Sequence, residues 1–278
     1  MNPHEIVPRL ADQGIYLASE STFYRIRRRL YALKGKENGK GHLMKKPTTY
    51  SADGPCQVWT WDITYMKGPI AGVFFYLYLI IDIYSRFIVG WEVWENQSAD
   101  NASTLIRRAC NAQGRLSTQP LVLHSDNGSP MKGAIMLATL EELGIIPSFS
   151  RPRVSNDNPY SESQFKTLKY CRSYPKNGFA TIEEAREWVN GFVHLYNYEH
   201  LHSSINYVTP ADRHYGRDKE ILAHRQEVYE KAKADHPERW NNRKIRDWSP
   251  VGIVTLNPER VDREADALVW KAEEVQRA

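Results

Sequence analysis

The chain has 278 residues, with 37 Lys and Arg against 33 Asp and Glu, a formal charge of +4 and three cysteines. That length holds one sizeable core with smaller flanking units, and the apolar run at 73–81 is far too short to cross a bilayer. Cys56, Cys110 and Cys171 are too scattered for a zinc cluster and read as reduced, mostly structural thiols.

In chain order, HEIVPRLADQG reads as a short helix ended by Gly14. SESTFYRIRRRLYAL reads as a second helix, with Phe23, Ile26 and Leu30 at helical intervals. Residues 1–33 therefore resemble a helix-turn-helix whose basic side includes Arg27, Arg28 and Arg29. Such a unit normally needs another packing helix, so an incomplete or trans-completed DNA-binding unit and a sequence-reading domain both stay open. Residues 34–53, with GKENGKGH and KKPTT, form a basic polar linker.

Residues 54–212 carry the regular pattern. VWTWDITYM, GVFFYLYLIID and RFIVGWEVW are aromatic and β-branched and predict a three-strand meander with a Tyr-Ser turn between its second and third strands. NASTLIRRACNAQGR predicts a helix starting after Asp100 and Asn101 and stopping near Gly114. PLVLHS is the next strand, IMLATLEELG a helix, IIPSFS a short buried strand, and a further helix begins near Tyr160. Strands followed by alternating helix and strand describe a mixed sheet with helices packed on it. TIEEAREWVNGFVHLYNYEHLHSS is a long amphipathic helix with Ala185, Trp188, Phe192 and Leu195 inward. From 213 to 278, EILAHRQEVYEKAKADHP predicts a solvated helix reached through a turn at TPADRHYG, and IVTLNPERV and DALVWKAEEV a small strand-containing appendage.

Three acids stand out. Asp62 lies in WTWDITY, Asp126 follows the strand LVLHS, and Glu162 opens the helix after NPYSES. Each sits where a strand or a helix end can present it to one cleft, and acids gathered without a basic partner are costly unless a divalent cation neutralises them. Hard oxygen donors favour Mg²⁺ or Mn²⁺, and a pair of such ions suits phosphoryl transfer by in-line displacement. Lys166 and Lys169 share the helical stripe of Glu162, so one face meets both metal and phosphate, while Phe165 and Leu168 turn to the sheet.

Other side chains compete for roles. Asp82 ends a strand and is read as an acceptor of turn hydrogen bonds, Asp157 as a loop or helix-start residue. Asn127 and Gly128 form the turn that exposes Asp126. His124 shares the strand face of Asp126 and is read equally as a core, DNA-proximal or catalytic group, with Asn127 and Asn158 as further supporting residues. Residues 1–50 hold ten basic against four acidic side chains. Residues 151–176 hold Arg151, Arg153, Lys166, Lys169, Arg172 and Lys176 against Asp157 and Glu162. Both patches suit backbone phosphates.

The runs WTWDITYM, FFYLYLIIDIYSRFIVGWEV, LVLHSDNGSPM, SRPRVSNDNPYSESQFKTLKY and FVHLYNYEHLHSSINYVTPAD resemble the transposases of bacterial insertion sequences with a retroviral-integrase-like core, over about residues 55–212. That resemblance implies an α/β ribonuclease-H-like fold with a mixed five-stranded sheet and helical N-terminal and small C-terminal extensions. It implies Asp62, Asp126 and Glu162 as a catalytic and metal-binding triad using Mg²⁺ or Mn²⁺, two ions when DNA is bound. Lys166 and Lys169 would then approach terminal DNA, with Arg151 and Arg153 nearby. The copy-out, paste-in class with two overlapping frames looks closest. It implies partners in double-stranded element ends, target DNA, further copies of this chain and an upstream-frame product, within a bacterial cytoplasm and without a membrane. A generic ribonuclease-H-like nuclease and a noncatalytic DNA-binding partner of a fused transposase fit the same residues. No paired-His, paired-Cys zinc module of the retroviral type precedes the core.

Overall fold

A computed structural model describes residues 22–26, 29, 49–114, 120–151, 157–239 and 244–257. The chain divides into two units, Met1–Lys46 and Pro47–Ala278. In the first, residues 22–26 and 29 are helical, and Arg25 donates to Thr22 Oγ1 over 3.2 Å. Ile26, expected on the inward stripe, is 50% exposed. Arg29 is also exposed, while Arg27, Arg28 and the rest of the expected helix-turn-helix lie outside the described residues.

The second unit is built on a five-stranded sheet. β2 (Val58–Lys67), β3 (Phe74–Asp82) and β4 (Ile88–Trp94) form the antiparallel meander, and β5 (Leu121–Ser125) and β6 (Ile145–Phe149) extend it in parallel, in the order β4-β3-β2-β5-β6. Strand alternation sorts the side chains between two cores. Trp59, Trp61, Tyr78, Ile80 and Leu123 pack on one face beneath α1 (Ala99–Ala112) and α3 (Ala134–Glu142), which follows the short α2 (Ser129–Lys132). Met66, Leu77, Leu79 and Ile81 occupy the other face, under α4 (Pro159–Lys169) and α5 (Ile182–Tyr198). Both faces are thus covered, which is why β2, β3 and β5 read as nearly continuous apolar runs. The mixed five-stranded sheet flanked by helices is borne out.

Several local expectations change. α1 starts at Ala99, where Ser98 caps it by accepting from Asn101 N over 3.1 Å, one turn before the sequence pattern suggested. β6 is an edge strand with Ile146 half exposed rather than a buried one. In α5 the inward seam is Ala185, Val189, Phe192, Val193 and Tyr196, and Leu195 is 46% exposed. TPADRHYG is not merely a turn but holds a one-turn helix, α6 (Pro210–His214), capped by Thr209 and followed by α7 (Asp218–Asp235).

The polar 34–53 segment ends in a strand. β1 (Tyr50–Ala52) pairs antiparallel with β7 (Val254–Leu256), Ser51 facing Thr255. Ala52, Val254 and Leu256 then form a third small core with Val58, Ile83 and Val122. Arg213, 1% exposed, fastens the approach to β7 by donating to Tyr84 O (2.8 Å) and Val251 O (2.7 Å) while paired with Asp218 at 3.3 Å. DALVWKAEEV lies outside the described residues.

Candidate active site

Parallel pairing of β2 with β5 sets the site. Thr60 is in register with His124, so Asp62 and Asp126, each two positions further on, leave neighbouring strands at the same level, roughly 4.8 Å being the spacing between strands. α4 brings the third acid. Its N-cap residue Asn158 makes no capping bond and instead donates from Nδ2 to Trp61 O over 3.2 Å. Ser161 Oγ bonds Thr60 Oγ1 over 3.3 Å, and Phe165 and Leu168 are buried against the sheet, as their helical spacing predicted. Glu162, beside Ser161, is thereby held next to β2 on the exposed side of the helix, with Lys166 and Lys169 exposed along the same stripe.

The electrostatics record this proximity. Burial pushes the Asp62 carboxyl up to about 7; the Ile63 N–H opposes this, the neighbouring Asp126 and Glu162 charges raise it further, and Lys169 lowers it. Lys169 is itself pulled down by burial, against the attraction of Asp62. Three chain segments, β2, the turn after β5 and α4, therefore place three acids and one lysine within one electrostatic neighbourhood. Asp62 Oδ1 accepts from Ile63 N at 2.7 Å, and Asp126 Oδ1 from Gly128 N at 2.8 Å. Asn127 Nδ2 donates to Ser150 O at 2.6 Å, which fixes the expected turn after Asp126.

The donor chemistry fits a hard divalent cation, being carboxylate oxygens, one of which burial and its acidic neighbours raise well above its ordinary pKa. Among the described residues, however, no three His, Cys, Asp or Glu side chains close into an ion-holding group.

The remaining candidates separate clearly. His124 is 1% exposed, with Nδ1 against Ser148 Oγ (2.9 Å) and Nε2 against Asp157 O (3.0 Å), and burial holds it below its ordinary pKa. It is a core group bonded to the Asp157 carbonyl just before α4. Arg151 grips Asp157 through Nε and Nη2, both at 2.9 Å, and this pairing holds the Asp157 carboxyl below the usual range. Arg153 lies outside the described residues. Asp82, fully buried, accepts from Cys56 N, Ser85 N and Ser85 Oγ, each at 2.7 Å, the turn role its position predicted. The sequence pattern missed Thr60 and Ser161, whose signal was small hydroxyls adjoining acids in otherwise buried segments.

Residues 52–155 match an integrase core domain family, and 143–210 match a second integrase core domain description. Over 182 residues the chain is 32% identical to the transposase for insertion sequence element IS904 of Lactococcus lactis subsp. lactis (strain IL1403), covering 63% of this chain and 69% of that protein. This chain belongs to the insertion-sequence transposases with an integrase core. To the transposase InsF for insertion sequence IS3A of Escherichia coli (strain K12), this transposase is 27% identical over 168 residues, 60% of its own length and 55% of InsF. It covers only 31% of a probable transposase for insertion sequence element IS1353 of Shigella flexneri, so it spans from under a third to just over two thirds of these relatives. The HTLV-2 integrase catalytic core domain in complex with magnesium aligns with a TM-score of 0.42 at 16% identity, over 58% of this transposase and 97% of that chain, a likeness that adds nothing to the family match. Among the described residues no helix is long and apolar enough to cross a membrane.

Proposed function

We propose that this transposase cuts DNA at the ends of its insertion element and joins the freed 3′-hydroxyl to target DNA, with Asp62, Asp126 and Glu162 as the catalytic acids. The observation that carries the reading is the register of β2 with β5 and the ties of α4 to β2, which gather Asp62, Asp126 and Glu162; burial first, and the other two acids further, raise the Asp62 carboxyl to about 7. A family core that tolerates that cost has a use for the crowded charge. Mg²⁺ or Mn²⁺, held by these three residues, would supply charge neutralisation and a lowered pKa for the attacking hydroxyl.

The chain's own groups do the positioning. Asp62 is fixed by the Ile63 N–H, and Asp126 by the Gly128 N–H. Lys166 and Lys169 stand beside Glu162 on the exposed stripe of α4, placed to bind phosphate oxygens of the DNA end. Arg29, with Arg27, Arg28, Arg151 and Arg153, extends the set of cations offered to the backbone, Arg151 through a guanidinium already engaged by Asp157. In this reading water would nick and a 3′-hydroxyl would join by direct attack at phosphorus, expelling the 3′-oxygen, with no protein–DNA ester. The copy-out, paste-in route, assembly of several copies on paired ends, an upstream-frame partner and a bacterial cytoplasmic setting belong to the same proposal.

The test incubates the purified chain and Mg²⁺ or Mn²⁺ with labelled DNA carrying the element's terminal repeats, beside scrambled ends and the Glu162→Gln variant. End-specific nicking and joining, absent from the variant, supports the proposal. Activity that only appears with the upstream-frame protein makes this chain the catalytic part of a larger enzyme. Equal cutting of scrambled ends indicates a general nuclease, and wild-type cleavage by Glu162→Gln removes the acid from the site.

A further inference from the structure

α4 begins without the side-chain cap that most helices use. Asn158 sits at the N-cap with its side chain turned to β2, so the turn carrying Glu162 depends on tertiary ties. Two run into the sheet, through Asn158 to Trp61 and Ser161 to Thr60. Two others run to the C-terminal segment. Tyr160 OH donates to Thr255 O over 3.1 Å, and Asn257 Nδ2 donates to Asp157 O over 2.9 Å, the carbonyl that also meets His124 Nε2.

The strap that makes these contacts is itself anchored. β7 is paired to β1, Val254 and Leu256 are buried, and Thr49 Oγ1 donates to Asn257 O over 2.8 Å. Asn257 adopts φ 51°, a left-handed conformation that asparagine tolerates better than most residues. That turn directs its amide to the start of α4. On its other side Tyr160 is covered by the Arg86 guanidinium, 4.3 Å from the ring centre, and Arg86 is tied to Ser204 Oγ at 3.1 Å.

We infer that Asn257 and Tyr160 are positioning residues for Glu162, and that the Thr255–Asn257 strap sets where the third acid stands relative to Asp62 and Asp126. The inference rests on the proposed role of Glu162. Both act through contacts two to five positions before the acid. The exposed placement of Glu162 makes this control consequential, because the side chain has no buried packing of its own to hold it.

The experiment uses the full chain with Asn257→Gly, which keeps the left-handed backbone and removes only the amide, and Tyr160→Phe, which keeps the ring over which Arg86 stacks. Amide hydrogen exchange and DNA-end cleavage are measured for both, beside wild type and Glu162→Gln, with upstream-frame protein added to every cleavage reaction if wild type requires it. Losing one such tie should speed exchange across residues 160–163 by about fivefold to tenfold while β3 amides stay as in wild type. Cleavage should slow by about tenfold or more through kcat, with KM for DNA unchanged, the scale expected when a catalytic group is displaced by a fraction of an ångström. Wild-type exchange and kcat in both variants would overturn the inference. So would an equal rise in β3 exchange, which marks general destabilisation. If Glu162→Gln cleaves as wild type does, the catalytic reading of Glu162 falls instead, while the exchange data still decide whether the strap holds α4.

Discussion

Replacing Asp62 by Asn should make the metal-free protein more stable, and increasingly so as pH rises. The carboxyl is raised from 3.8 to about 7, first by burial. A group whose folded pKa lies above its unfolded value contributes stability that is fully present below the unfolded pKa, here about 4, and is lost as pH rises through about 7. The shift corresponds to roughly 4 kcal/mol at pH 8, where the folded protein carries the buried charge, and to roughly 2 kcal/mol at pH 5, where it is still protonated in the folded state. Asn keeps an oxygen to accept from Ile63 N, so the local backbone bond survives. Urea unfolding of wild type and Asp62→Asn in EDTA at the two pH values should show the variant ahead at both, with the gap widening by roughly 2 kcal/mol from pH 5 to pH 8. Adding Mg²⁺ should stabilise wild type more than the variant. A gap that is constant with pH, or a variant less stable at pH 8, would refute the claim that crowded, buried charge is stored at this position.

Asp82→Ala should cost about 3 kcal/mol, since it strands the half-buried Cys56 amide and the buried Ser85 amide and hydroxyl; a loss below about 1 kcal/mol in urea unfolding would show that the turn reorganises freely. Lys169→Met should weaken DNA binding uniformly across sequences and reduce the slope of log affinity against log salt by about one. It should also shift the acid limb of the cleavage profile to higher pH, because Lys169 lowers the Asp62 pKa; an unchanged limb measured by cleavage rate against pH would disconnect the two groups.

The meander was legible because Trp59, Phe75 and Ile81 lie in long aromatic and β-branched runs that have no helical period, and α4 because Phe165 and Leu168 are spaced to face a sheet while Glu162 and Lys169 face away. The acids could be singled out because carboxylates are out of place beside such runs. What failed to show in sequence depends on partners far along the chain. β1 is three residues of a polar segment made a strand only by β7. Leu195 looked inward by spacing alone, but Phe192, Val193, Tyr196 and Asn197 take the buried side of α5 and leave Leu195 46% exposed. Arg151 read as a free cation until the fold supplied Asp157. Asn257 carried no local signal, since its role lies in a backbone turn and a carbonyl 100 positions away.

The pairing of Ser51 with Thr255, 204 positions apart, also bears on when activity can arise during synthesis. At about 5–20 residues per second a ribosome needs roughly 10–40 s to make the intervening chain. During that interval the nascent polypeptide gains Asp62, then Asp126 and Glu162, before it has the strand whose contacts join the start of α4. A chain that stops between Glu162 and Val254 would hold every acid, yet keep only the two sheet ties of Asn158 and Ser161 at the start of α4.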